Sequence, residues 1–445
     1  MKKINAYINN HVLFKGANLN TASIFTKIVS GVLTSKVIAV LIGVEGMALI
    51  GNLKNFLSAI QTFSVFGFYH GMVKSISEVR HDVNALSQTL STGYYLGFIS
   101  TILISFLSYY NAQAINNFLF SSIFNYAYVI KIMALALPFY ALNMFSFSIM
   151  NGYSKYHMLL IISVIGQVLG FFITLLLIYQ NNIDGALIAG VIAPALVFLI
   201  TIIGVLNQRN LTSLLKISNV NFEVFKKLAP YSVMALVTAI AMPLVLIIIR
   251  NYIIEAVGIK EAGHWEAVQR LSNYYLLFIN TVVTLYFLPR LREINTKEEF
   301  KKEVFDFYKT TMPIFGVGLI FIYLLRSIIV PLIFSQAFKP AEDLFLWQLL
   351  GDFVKVLSIV IAYQFVARRM FTHFVIIQIF LLVIMYLSSV YLIDVFGVKG
   401  AVIGHFVSYL MHYGVILLML KSSLFGVISE KNDDDEPLAR QTPRI

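Results

Sequence analysis

Stretches of about 20 mainly apolar residues recur along this 445-residue chain, parted only by short polar breaks. They lie near 19–42, 48–73, 87–109, 125–150, 158–180, 185–207, 228–251, 264–289, 306–333, 344–366, 373–393 and 400–421. Each is long enough to cross the hydrocarbon core of a bilayer as a helix. No water is available there, so every backbone N–H and C=O must be bonded within its own segment. The runs are continuous rather than alternating, which predicts helices and not strands. Composition agrees: 59% of residues are hydrophobic, 12% are charged and the mean hydropathy is +0.81. Soluble domains carry about 25% charged residues, and no soluble core could hide such an apolar excess. The predicted fold is all-α and integral to the membrane, with about 12 transmembrane helices.

Lysine and arginine orient these spans. With the N-terminus in the cytoplasm, 21 loop bases fall on the cytoplasmic side, and only Lys260, Lys339 and Lys399 fall opposite. That asymmetry obeys the positive-inside rule and, with an even span number, places both termini in the cytoplasm. It also accounts for most of the net charge of +11, so no nucleic-acid partner is implied. The segment MKKINAYINNHVLFKGANLN at the N-terminus lacks a signal-peptide apolar core and reads as a retained cytoplasmic segment. The tail from 424 to 445, with its EKNDDDEPLARQTPRI stretch, is predicted to be disordered.

The longest break, 208–227, lies midway and reads as a cytoplasmic linker between an N-terminal six-helix lobe, 1–207, and a C-terminal one, 228–423. The halves resemble each other. GALIAG at 185–190 and GAVIGH at 400–405 open the sixth and twelfth spans, at an offset of 215 in the numbering. Gly43 and Gly258 have the same separation, and His157 and His373 are 216 apart. Agreement on one offset predicts a duplication. Six spans per copy give both copies the same orientation, with a central cavity expected between them.

Nine bases remain inside spans: Lys27, Lys36, Lys54, Lys131, Arg250, Arg270, Lys309, Arg326 and Lys355. A base at the bilayer centre costs about 2.5–3.5 kcal/mol, so such residues should face a wet cavity or a partner. Lys131, Arg250 and Lys309 lie within two turns of a span end, where snorkelling to the headgroups is the plainer reading. Others sit in polar stripes at helical spacing: Asn20, Ser23, Lys27, Ser30 and Thr34; Lys54, Ser58 and Gln61; Arg270, Asn273, Asn280 and Thr284. The repeat pairs Lys54 with Arg270 and Lys36 with Arg250, which restores Arg250 as a candidate. Two basic arms around one cavity suit a pyrophosphate, because arginine offers forked donors and lysine a point charge. The expected substrate-binding bases are therefore Lys27, Lys36, Lys54, Arg250, Arg270 and Arg326. Intramembrane acids are few. Asp352 lies one helical turn from Lys355, within pairing reach on one face, and the two are either a structural ion pair or a coupling pair.

Other chemistries lack their signatures. There is no GxxxxGK[ST] loop for ATP and no HExxH or Cys/His cluster for a metal. Cysteine is absent, and the eight histidines are scattered. No enzyme and no cofactor are expected. A membrane glycan polymerase would carry a large external loop, and every loop predicted outside is short. An exporter of soluble drugs or ions stays open as an alternative.

Several stretches bear a family likeness: LFLWQLLGDFVKV at 344–356, TLYFLPRLREI at 284–294, PLVLIIIRNYI at 243–253, GHWEAVQRLSNYYLLFI at 263–279 and YHGMVKSISE at 69–78. With them the chain resembles the Wzx-type lipid-linked oligosaccharide flippases, nearest the subgroup that moves the lipid III carrier of enterobacterial common antigen and related O-antigen translocases. The resemblance implies the multidrug/oligosaccharidyl-lipid/polysaccharide (MOP) exporter fold, with two six-helix lobes around a central cationic cavity. It implies flipping of an undecaprenyl-pyrophosphate-linked oligosaccharide across the bacterial inner membrane, with the lipid bilayer and the pathway's polymerase and chain-length machinery as partners. Lys27, Lys54, Arg270 and Arg326 are the positions that the resemblance would place in the cationic cavity. Glycan identity and energy source are not legible.

Overall fold

A computed structural model describes residues 12–121, 124–206, 214–294, 296–368, 370–421 and 424. The N-terminal segment up to residue 11, expected to be retained, and the tail from 425 onward, expected to be disordered, lie outside these residues. The described residues form fifteen α-helices and no strand. In chain order they are α1 (Val12–Leu41), α2 (Gly43–Ser64), α3 (Tyr69–Val79), α4 (Val83–Tyr110), α5 (Ala112–Phe120), α6 (Ala127–Gly152) and α7 (Tyr156–Leu206), followed by α8 (Phe222–Ala256), α9 (Ile259–Val282), α10 (Leu288–Glu293), α11 (Lys297–Leu324), α12 (Arg326–Ile333), α13 (Phe345–Ala367), α14 (Phe371–Phe396) and α15 (Val398–Met419).

Every expected span falls on helix. Among the described residues, nine helices are long and apolar enough to cross a membrane. One of them, α7, is two helices merged across a kink at Asn181 and Asn182, and so holds two expected spans. The remaining two expectations, 48–73 and 264–289, fall on α2–α3 and on α9 with the π-helical turn Val283–Phe287. α2 and α9 are the second helices of the two halves, and both carry charge within their length. Their polarity, not their length, sets them apart.

The backbone repeats the offset read from the sequence. Gly43 and Gly258 both have positive φ, +85° and +124°, at the junction before the second helix of each half. Asn182 and Gly397, which stand at the same offset, both have positive φ at the turn between the last two helices, 48° and 62°. Just beyond that turn, a Cβ on Gly185 would lie 1.8 Å from the Leu177 carbonyl oxygen, and a Cβ on Gly400 would lie 2.1 Å from that of Leu392. Leu177 and Leu392 correspond at that offset too. The opening glycine of each motif therefore lets the last helix pass against the backbone of its predecessor. Even a polar tie recurs: Tyr128 donates to Asp184 in the first half, and Lys399 pairs with Asp343 at 3.5 Å at the equivalent positions of the second.

By contact the chain divides into Met1–Ile247 and Ile248–Ile445. The second lobe was expected to begin at 228, and the contact boundary lies later, inside α8. The reason is close packing within unit 1. Gly67 and Gly71 flank the start of α3, where a Cβ would meet the Ser232 carbonyl oxygen at 2.8 Å and the Leu228 side chain at 3.0 Å. Leu228 joins Phe68, Met72, Ile76, Leu86 and Leu90 in one buried cluster. The segment leading into α8 is held on α4: Ser87 Oγ donates to the Leu214 carbonyl at 2.5 Å, and Asn221 N–H donates to Thr92 Oγ1 at 2.9 Å. In unit 2, α14 and α15 form an antiparallel hairpin in which Gly404 admits Ser389 closely, and α15 also packs along α13.

Adding a methyl group where the backbone leaves no room costs about 1–3 kcal/mol. Gly185→Ala and Gly400→Ala should each lower the thermal unfolding temperature in detergent, by similar amounts. Gly318→Ala, whose Cβ would meet nothing within 4 Å, should leave it unchanged or raised. Equal stability of all three variants would contradict the packing described.

Candidate functional site

α9 organises the buried charge of unit 2. Its residues Glu266, Arg270, Ser272 and Tyr275 meet groups of α8 and α13, and two polar clusters form there. In the first, Glu266 sits between two arginines. Arg250 of α8 donates to Glu266 Oε2 at 2.5 Å, and Arg270 Nε donates to Oε1 at 2.8 Å. Arg250, Glu266 and Arg270 are nearly excluded from solvent, at 1%, 5% and 5% exposure. The Arg250 guanidinium also lies 5.1 Å from the Trp265 ring centre. Two cations share one carboxylate, so the triad keeps one net positive charge. Among the expected bases, the structure thus brings Arg250 and Arg270 together, through an acid whose bridging role the sequence did not reveal. The position equivalent to Glu266 in the first half is Gly51, so the bridging acid is not repeated.

The second cluster surrounds Asp352 on α13, which is wholly buried. Its carboxylate accepts from Ser272 Oγ at 2.5 Å, from the Tyr275 hydroxyl, from Gln348 Nε2 at 3.2 Å and from His405 Nε2 at 3.0 Å. Gln348 in turn accepts from Gln269 at 3.1 Å. Three of these donors converge on Oδ2, and His405 alone meets Oδ1. Among the described residues no group of three or more His, Cys, Asp and Glu side chains is arranged for a metal ion. The expected partner, Lys355, makes no direct ion pair with Asp352, though the two charges still interact through space; its ammonium lies 5.3 Å from the Tyr409 ring centre. Spacing along one helix permitted the Asp352–Lys355 pair, but a histidine on a neighbouring helix takes the position instead. Gly351 makes this possible, because a Cβ there would lie 2.4 Å from the His405 ring.

His405, Tyr275 and Ser272 were not identified from the sequence as functional residues. The available signal was the series His405, Tyr409 and His412 at helical spacing on a mainly apolar helix, which in the structure meets Asp352, Lys355 and Ser358. His412 Nδ1 lies 3.2 Å from Ser358 Oγ, one turn beyond Lys355.

The other expected bases lie on other helices. On α1, Ser23 and Ser30 are buried, Ser30 donating to the Gln167 carbonyl at 3.2 Å, while Lys27 between them is exposed and Lys36 is half-buried. Asn20 lies where side chains are not described. On α2, Lys54 and Ser58 are exposed, and the opposite face buries Asn52, which donates to the Leu119 carbonyl at 2.6 Å. Arg326, at the start of α12, stacks 4.1 Å from the Tyr323 ring centre and donates to its carbonyl at 2.7 Å. Lys131 is exposed, 5.5 Å from the Tyr109 ring centre.

Removing one partner of a buried ion pair costs about 3–5 kcal/mol, because the remaining charge is left uncompensated. Glu266→Gln should therefore destabilise the protein strongly. Thermal unfolding in detergent should show a large fall that Glu255→Gln, on the exposed end of α8, does not reproduce.

Comparison with known proteins identifies the fold and the family. The lipid III flippase of Escherichia coli (strain K12) is 25% identical over 413 residues, covering 91% of this chain and 98% of that protein. The lipid III flippase of Shigella flexneri matches to the same extent. Among solved structures, an inward-facing multidrug resistance MATE family transporter of the MOP superfamily superposes with a TM-score of 0.74 at 14% identity, covering 90% of this chain and 95% of that one. The lipid II flippase MurJ in an inward closed conformation superposes with a TM-score of 0.70 at 16% identity, covering 92% of this chain and 87% of that one. The fold is that of MOP-superfamily transporters. The polysaccharide biosynthesis protein family matches residues 37–343, more than half the chain, and this multi-pass membrane protein belongs to that family.

Proposed function

We propose that the chain is a flippase. It moves an undecaprenyl-pyrophosphate-linked oligosaccharide, an O-antigen or common-antigen repeat unit, from the cytoplasmic to the periplasmic leaflet of a bacterial inner membrane by alternating access. Both termini then lie in the cytoplasm, and the delivered glycan passes to the polymerase and chain-length machinery of its pathway. The observation that carries this reading is the pairing of near full-length similarity to lipid III flippases with a set of intramembrane bases. Lys27 on α1 and Lys54 on α2 are exposed on neighbouring helices of unit 1, and each would meet a phosphate as a point charge. Arg326 offers a further guanidinium, and Lys36 lies further along α1. Arg250 and Arg270 carry the residual positive charge of the Glu266 triad. Low dielectric strengthens each such contact. The isoprenoid tail stays in lipid. Asp352 and Lys355 supply the coupling element.

Export of soluble cationic drugs on the same fold is favoured only by the likeness to MATE structures, which extends to fold alone. A cationic drug needs an available acid. In unit 2, Glu266 is engaged by two arginines and Asp352 by four donors.

Full-length protein reconstituted with undecaprenyl-pyrophosphate-linked oligosaccharide tests the proposal, with a membrane-impermeant glycan probe reporting leaflet exposure. A charge-assisted contact to pyrophosphate is worth about 1.5–3 kcal/mol, roughly ten- to a hundredfold in apparent affinity. Lys54→Ala and Arg270→Ala should weaken transport on that scale, whereas Lys131→Ala should transport like the parent. Unaltered transport by both of the first two variants would rule out the basic-site mechanism.

A further inference from the structure

α13 and α15 face each other with a polar residue at each successive turn. Asp352 meets His405 at 3.0 Å, Lys355 lies over Tyr409 with 5.3 Å to the ring centre, and Ser358 meets His412 at 3.2 Å. The Tyr409 ring lies edge-on between the two histidines, 4.9 Å from His405 and 6.1 Å from His412. At about 1.5 Å rise per residue, the rungs span about 9 Å along α13 and about 10 Å along α15. That is about a third of a hydrocarbon core roughly 30 Å thick. All of these residues except Lys355 are buried, and Lys355 is half-buried.

The duplication shows that the fold does not require them. The equivalent positions of the first half carry Leu137 and Gly190 in place of Asp352 and His405. They carry Tyr140 and Pro194 in place of Lys355 and Tyr409, and Asn143 and Val197 in place of Ser358 and His412. The donors around Asp352 are likewise replaced: Ser272, Tyr275 and Gln348 correspond to Leu57, Ile60 and Met133. Leu57, Met133 and Leu137 are buried apolar residues of unit 1. The same helices thus pack in the first half with no acid, lysine or histidine at these positions, although Tyr140 and Asn143 keep hydrogen bonds with Val191 and Thr201. The second half bears the desolvation of a buried acid, a lysine and two histidines that packing alone does not call for.

We propose that the three α13–α15 rungs form a proton-transfer ladder, whose inward proton movement drives outward movement of the lipid-linked oligosaccharide. This rests on the flippase reading above. The chemistry is proton exchange alone. A proton from water on one side forms an O–H or N–H bond at a rung, passes to the next as that bond breaks, and leaves to water on the other side. One proton enters, one leaves, and no electrons are transferred. Tyr275 on α9 is the further titratable group on Asp352 itself, with Glu266 and Arg270 nearer the start of that helix. From α11, Tyr308 approaches and donates to the Leu357 carbonyl, while Asp306 and Lys309 are exposed. The 3-10 segment Gln336–Leu344 before α13 contributes Asp343, which is paired with Lys399, Glu342, which is half-buried, and Lys339, which is exposed. On α14, Asp394 accepts from Tyr252 at 2.5 Å.

The test uses the full chain in liposomes with undecaprenyl-pyrophosphate-linked oligosaccharide, an imposed pH difference and the membrane potential clamped at zero with potassium and valinomycin. Exchange of one proton per lipid concentrates the glycan in the leaflet facing the acidic side, about tenfold per pH unit, whichever way the protein inserted. Asp352→Asn and His405→Gln should fold, judged by thermal unfolding, and leave the two leaflets equal. Flipping by the unmodified chain to equal leaflets under the gradient overturns the ladder and leaves the flippase reading standing. Absence of flipping by the unmodified chain removes the flippase reading instead. The ladder is then decided without lipid, by infrared difference spectra between acidic and alkaline pH. A carboxylic-acid carbonyl band that Asp352→Asn abolishes supports it, and absence of that band overturns it.

Discussion

A polar group surrounded by hydrocarbon must find its partner inside the protein, and the architecture follows from that condition. It compels the backbone into helices, because only a helix satisfies every N–H and C=O locally. It then governs side chains. Glu266 is tolerated because two guanidiniums meet it, and Asp352 because four donors converge on it from three helices. Smaller groups obey the same condition: Asn52 turns to the Leu119 carbonyl, and Ser30 to that of Gln167. Lys27 and Lys131 are exposed instead.

Duplication separates what the fold needs from what function adds. The devices that shape the backbone recur at one offset: positive φ before the second helix, positive φ at the final hairpin turn, and a glycine where the last helix grazes its predecessor. The buried ionisable groups do not recur. One half fills the junction of its second, fourth and sixth helices with leucine, methionine and glycine, and the other fills it with aspartate, glutamine and histidine. Two copies of one scaffold therefore carry different chemistry, and the difference lies in side chains that cost stability unless fully bonded. Glycine placement is part of that chemistry: Gly351 leaves the space into which the His405 ring fits beside Asp352.

Much of this was legible in the amino-acid order. Hydrophobic runs of bilayer length and the constant offset between the halves are local or periodic properties, and the runs appeared in the structure as helices. The site was less legible. Asp352 and Lys355 stand at a spacing that allows pairing on one helix, yet each found its partner on α15. Arg250 and Arg270 matched lysines of the first half, yet nothing in that match pointed to Glu266 as the acid between them. The later contact boundary inside α8 likewise depended on Gly67 and Gly71 meeting Ser232 and Leu228, which are remote in the sequence.

By itself, the sequence determined a helical membrane protein of duplicated design with bases in excess over acids inside its spans. Those properties follow from solvent: lipid selects length, hydropathy and hydrogen-bond closure one segment at a time. Only the tertiary structure decided which charges meet, because a buried ion pair joins residues from different helices. Which side chains face across a helix–helix junction depends on helix rotation and on the small residues that let backbones approach. No spacing within a single helix contains that information.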